Sequence, residues 1–135
     1  MAKLDMTGPF VLTKEEIEKQ IPEKVIGNYA FGYIDPSDNK FVIEYVGRAD
    51  GQPLRERIKH GIADGYKEFM FSIAANAKEA YEKECKNWHE FGGPKGWLDN
   101  KIHPDKPNNT DYECPYCDDM EQKRQLKLER PRFRR

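Results

Sequence analysis

The chain has 135 residues, which suits one domain with a single core, and its 37% apolar and 12% aromatic content excludes disorder throughout. A net charge of -1 argues neither for nor against a nucleic-acid partner. Basic residues nevertheless gather at the end, seven against one acidic residue between Lys123 and Arg135. No apolar run approaches a membrane span and no signal-peptide pattern opens the chain, so the expectation is a soluble, cytoplasmic protein without a membrane partner.

In chain order, "LTKEEIEKQIPEK" (12–24) predicts a short helix. Thr13 suits its N-cap, Glu16 completes a capping box, and Pro22 limits its far end. "NYAFGYI" (28–34) and "KFVIEYV" (40–46) are aromatic and β-branched and flank "DPSDN", so they predict a β-hairpin. Alternation puts Tyr29, Phe31 and Tyr33 on one face of the first strand, and Phe41, Ile43 and Tyr45 on one face of the second. Pro53 opens a helix running to about His60, with Leu54, Ile58 and Ile62 inward. "YKEFMFSIA" (66–74) predicts a third strand. Asn76 caps a helix with Glu79 three residues on, and Gly92-Gly93-Pro94 ends it. The organisation expected is a lead-in helix (1–24), a core (25–92), a loop-rich segment packed on it (93–117) and a flexible basic tail (118–135). The fold class expected is α+β, a small three-stranded antiparallel sheet flanked by helices.

One residue breaks the pattern. On the helix 76–91, Ala77, Ala80, Tyr81, Trp88 and Phe91 form an apolar stripe at about 100° per residue, and Glu84 falls in its middle. A carboxylate there is costly unless it is paired or binds a metal. Glu84 is therefore either salt-bridged to an arginine such as Arg57 or a metal ligand in a cleft. Tyr29 and Tyr45, on adjacent strands, are either core tyrosines with wet hydroxyls or parts of the same cleft. His60 is either a base or phosphate contact or a surface histidine late in its helix. Arg48, Arg55 and Lys59 are candidate contacts to a nucleic-acid backbone or solvated charges.

Taken together, Gly27-Asn28-Tyr29, then Tyr45-Val46-Gly47, then Leu54-x-x-Arg57-x-x-His60, then a helix carrying Ala80-x-x-x-Glu84, resemble the GIY-YIG nuclease superfamily across about residues 25 to 90. Asn28 stands where that family carries an aliphatic residue. The gap between Tyr29 and Tyr45 is also longer than its usual loop, so the hairpin must be extended or bulged. The resemblance implies phosphodiester cleavage with one divalent ion and a nucleic-acid partner, DNA before RNA. In that frame Glu84 holds Mg²⁺ and Arg57 clamps a phosphate oxygen. Tyr29, Tyr45 or His60 serves as base, a nearby cation lowering the pKa of a tyrosine. Gly47 lets the chain turn from strand to helix; no phosphate-cradling motif follows it. The runner-up reading is the same fold without catalysis, binding nucleic acid or a protein.

The cysteines suggest a second site. Cys85 and His89 stand one turn apart on a helix, and Cys114 and Cys117 have C-x-x-C spacing. Together they make a Cys₃His set suited to structural Zn²⁺, with His103 as an alternative ligand. Free thiols and a redox pair are the other readings. The tail "KRQLKLERPRFRR" either grips nucleic acid electrostatically or solubilises the end.

Overall fold

The computed structural model describes residues 4–91 together with Leu98, Asp99, Pro104 and Cys114. The end of the predicted Gly92-Gly93-Pro94 stop, most of the loop-rich segment, His103, Cys117 and the basic tail lie outside the described residues.

Seven elements follow in order: β1 (Thr7–Val11), α1 (Lys14–Gln20), β2 (Gly27–Asp35), β3 (Lys40–Ala49), α2 (Leu54–Asp64), β4 (Glu68–Ile73) and α3 (Ala77–Phe91). The sheet has four strands in the order β1-β4-β2-β3, not three, and all its pairings are antiparallel. The added strand is β1. Its Gly8-Pro9 disguises it, because proline in a strand is confined to edges and irregularities. It is an edge strand here, and its register against β4 shifts between Thr7 and Phe10.

The sheet separates two cores. Tyr29, Phe31, Phe69 and Phe71 face Ile17 and Ile21 of the α1 region and Leu54 and Ile58 of α2. On the opposite face, Ala30 and Val46 meet Trp88 of α3, with Leu4 and Leu98 completing the cluster. The chain is thus a three-layer α+β arrangement, α1 and α2 on one side and α3 on the other.

Local chemistry explains the ends of these elements. Thr13 Oγ1 accepts from the Glu16 amide at 3.2 Å, but the Glu16 carboxylate takes Gln20 Nε2 at 2.8 Å instead of closing the capping box. The hairpin turn is held by Asp35, whose Oδ1 accepts from the Ser37 amide and hydroxyl. Asn39 takes a positive φ of 62°, which asparagine tolerates. Helix α2 starts on the Val25 carbonyl, which accepts from the Leu54 amide at 2.7 Å. It runs to Asp64, past His60, because Gly65 at φ 89° supplies the left-handed cap. Its inner positions are Leu54, Ile58 and Gly61; Ile62 is exposed. A Cβ on Gly61 would stand 2.4 Å from the Phe31 ring, so helix and strand approach where no side chain fits. Asn76 Oδ1 caps α3 by accepting from the Glu79 amide at 2.8 Å, as the spacing predicts, while the Glu79 carboxylate accepts from the Ala75 amide at 3.0 Å.

The hairpin carries a bulge. Phe31 pairs with Tyr45 but Gly32 pairs with Ile43, so Glu44 has no opposite number. Its carbonyl is taken by the Asp99 amide at 2.6 Å. The bulge corrects the strict alternation along this strand: Tyr45 packs with Tyr29 and Phe31 toward α2, whereas Phe41 and Ile43 pack on the α3 side.

Candidate active site

An open pocket of about 420 Å³ lies where β2 begins and β3 ends, and its wall includes Tyr29, Tyr45, Arg48, Asp50, Arg57 and Glu84. Residues from β2, β3, α2 and α3 therefore converge on one space. Four of the five catalytic candidates, Tyr29, Tyr45, Arg57 and Glu84, are in it. The fifth, His60, is exposed on α2 and is not part of the wall.

The tyrosine half lies on the α2 side of the sheet. Tyr29 is buried, and its ring stacks at 12° to that of Tyr45 with centroids 6.3 Å apart. Arg57 Nε donates to the Tyr29 hydroxyl at 3.1 Å. Burial pushes the Tyr29 hydroxyl up to about 12, and the Arg57 hydrogen bond only partly opposes it. Against the guanidinium alone, desolvation wins.

Gly47 has a different role from the turn expected of it. The strand continues to Ala49, and Gly47 sits opposite Tyr29 in the ladder. A Cβ there would lie 2.5 Å from both Cζ and the hydroxyl oxygen of Tyr29. Only a residue without a side chain leaves room for the Tyr29 ring.

The carboxylate half lies on the α3 side. Glu84 is 9% exposed and its Oε1 accepts from Arg48 Nη1 at 2.7 Å. Arg48 Nε also donates to Asp50 at 2.7 Å, and its guanidinium lies 5.2 Å from the centre of the Tyr81 ring. The partner of Glu84 is therefore Arg48, not the Arg57 suggested by sequence. Burial raises the Glu84 carboxyl to about 7 against the pull of Arg48. Asn28 fixes this half: its side chain, 1% exposed, donates to the Ala80 carbonyl at 2.8 Å, one turn before Glu84. The polar residue that departs from the family pattern is thus a strut between β2 and α3.

Asp50 is the site residue that sequence reasoning passed over, and the role of Asn28 as a strut went unforeseen. Asp50 had a signal, a carboxylate two residues after Arg48, but only the chain's turn beyond β3 gives it meaning. Arg55 and Lys59 point elsewhere. Arg55 donates to the carbonyls of Glu18 and Ile21 at the end of α1, and Lys59 pairs with Glu18 at 2.7 Å. Both hold α2 against α1.

The thiol candidates meet on α3. Cys85 is fully buried, and burial pushes its thiol up, with the neighbouring Cys114 thiol adding to the effect. Cys114 Sγ lies 3.3 Å from His89 Nε2. Among the described residues no three His, Cys, Asp or Glu side chains form a ready metal-holding group. No helix among them is long and apolar enough to cross a membrane.

Compared with protein-family models, curated proteins and solved structures, the chain matches none.

Proposed function

We propose that the chain is a GIY-YIG-type, metal-dependent nuclease domain that hydrolyses phosphodiester bonds of nucleic acid, DNA in the first instance. The observation that carries this reading is the convergence of Tyr29, Tyr45, Arg57 and Glu84, from four elements, on one open pocket. Each supplies something the reaction requires. Arg57 offers a planar cation to a phosphate oxygen. Tyr29, held by Arg57, is a neutral hydroxyl that orients a water or a phosphate oxygen. Tyr45, stacked beside it, is the second hydroxyl facing the same space.

The donor set fits a hard cation, since magnesium is satisfied by one or two carboxylates and water. Glu84 would hold it, through a carboxylate at the pocket wall. A divalent ion, when bound, polarises the phosphate and lowers the pKa of water and hydroxyl groups beside it. Arg48 and Asp50 keep Glu84 in place until then, and Arg48 is a second cation for the substrate's charge.

A second reading, nucleic-acid or protein binding without cleavage, is favoured by one observation. Glu84 is already neutralised by Arg48.

The test is a panel of labelled plasmid, linear and branched DNA and RNA, incubated with Mg²⁺, Mn²⁺ or chelator. Wild type is compared with Glu84→Ala and Arg57→Ala. Metal-dependent cleavage, lost at least about 100-fold in both variants, is the expected result. Binding without cleavage in all three proteins selects the second reading. Neither binding nor cleavage overturns both.

A further inference from the structure

We infer that the pocket takes one unpaired nucleotide, its phosphate on Arg57 and its base against the ring of Tyr45. DNA is then recognised where it is single-stranded or branched rather than along a continuous duplex. The inference rests on the nucleic-acid reading of this site but not on cleavage. Its first support is scale. A space of about 420 Å³ is of the size that takes one small ligand. A duplex keeps its bases paired and stacked inside it, so it cannot present one to such a space without unpairing.

The second support is the aromatic cluster beside that space. Tyr29 and Phe31 are its buried members, 2% and 3% exposed, whereas Tyr45 and Tyr66 are half-buried. Tyr45 lines the pocket. Its ring is already fixed, nearly parallel to Tyr29 and flanked by Phe31 at 6.0 Å and Tyr66 at 6.2 Å between centroids. Tyr66 is held in turn, stacked on Phe31 at 4.9 Å, with its hydroxyl donating to Asp99 Oδ2 at 2.7 Å. Rings held in this way lose little freedom when a base is laid against them. Every base has a face to offer, so such a platform requires no particular sequence. Arg57 donates to the hydroxyl of Tyr29, the ring next to Tyr45, so the phosphate and base contacts lie one side chain apart.

The third support is charge. Between Leu4 and Phe91 acidic residues outnumber basic ones. Two of the cations expected to follow a nucleic-acid backbone, Arg55 and Lys59, are turned to α1. The other two arginines of the site, Arg48 and Arg57, stand at the pocket wall. Among these four the attraction for phosphate is therefore concentrated at one point, not spread along a track. A protein that neutralises few phosphates gains little from a long duplex, so base stacking carries the greater share of its affinity.

The test measures binding by the full chain in the presence of chelator, so that cleavage does not interfere. The probes are a short DNA strand, the same strand paired in a duplex, and that duplex with a single-stranded flap. Fluorescence anisotropy at one fixed salt concentration should show the strand and the flap bound at least about tenfold more tightly than the duplex. A strand carrying 2-aminopurine should lose fluorescence on binding, as that base stacks; this readout needs no variant. Tyr45→Leu should weaken binding of the strand about tenfold and abolish the quenching, and Tyr45→Phe, which keeps the ring, should restore both. Equal affinity for strand and duplex without quenching overturns the inference and leaves the nucleic-acid reading standing. So does a Tyr45→Leu protein that binds and quenches as wild type does. Binding of none of the three DNAs by the wild-type chain overturns the nucleic-acid reading itself, and this inference with it.

Discussion

The two halves of the pocket solve the same electrostatic problem with different results. Each buries an acid, Tyr29 on the α2 side and Glu84 on the α3 side, and each sets an arginine against it. Burial prevails in both. Tyr29 is carried to about 12, far from neutrality, whereas Glu84 stops at about 7. One half therefore keeps its charge fixed across the physiological range, and the other changes charge within it. The difference teaches that the same guanidinium neighbour makes a static hydrogen-bonding post or a titrating one, depending on the intrinsic acidity of its partner.

The comparison is broken most severely by Arg48→Met. At pH 8 the variant leaves Glu84 buried without its cation, and stability should fall by about 3 kcal/mol. At pH 5, where Glu84 is protonated, the loss should shrink to about 1 kcal/mol from the contacts with Asp50 and Tyr81. Urea unfolding across pH measures both; a loss independent of pH would mean that Glu84 does not titrate in this range.

The tyrosine half is best disturbed by Gly47→Ala. The new methyl group meets the Tyr29 ring, and overpacking of this kind should cost about 1–3 kcal/mol. Tyr29 should leave its contact with Arg57, visible as a change in tyrosine fluorescence or near-ultraviolet dichroism, while the pH dependence of stability stays as in wild type. An unchanged spectrum would mean that the ring is not held against this glycine.

Glu84→Gln sharpens the contrast from the other side. A carboxyl raised from 4.5 to about 7 favours the folded state fully below 4.5 and loses that advantage as pH rises through 7. The glutamine variant lacks this dependence, so its stability relative to wild type should improve by up to about 3 kcal/mol between pH 4.5 and 8. A flat difference across that range would refute the raised value.

The smallest effect is expected for Arg57→Met. It removes one hydrogen bond to a neutral hydroxyl, about 1 kcal/mol, and a weaker attraction to the Glu84 carboxylate, so the loss should grow slightly as pH rises through 7. An equal loss at pH 5 and pH 9 would show that Arg57 does not act on Glu84.

Much of this molecule is legible in its sequence, and the exceptions are instructive. Capping and periodicity give α1, the hairpin, α2, β4 and α3, and the apolar stripe of α3 isolates Glu84. Strand β1 is hidden because Gly8-Pro9 suppresses the β signal, and only pairing with β4 makes it a strand. The inward face of α2 is misjudged at Ile62, because packing against Phe31 selects Gly61 instead. The partner of Glu84 is misassigned because Arg57 and Arg48 are equally available in sequence, and only the strand's alternation sends Arg48 to the α3 side. The role of Gly47 is invisible until Tyr29 is placed opposite it.

The unpaired Glu44 has a consequence for how this chain tolerates change. It resets the phase of β3 halfway along, so the outer part of the hairpin and the part beside the pocket count their alternation from different origins. Removing that one residue would restore a single count and leave every other side chain of the hairpin on the layer it now faces, because Ile43 and Tyr45 already face opposite layers. Residues added or removed in pairs near the tip would leave both counts untouched. The hairpin can thus vary in length in steps of two per strand without moving a single group in the pocket wall.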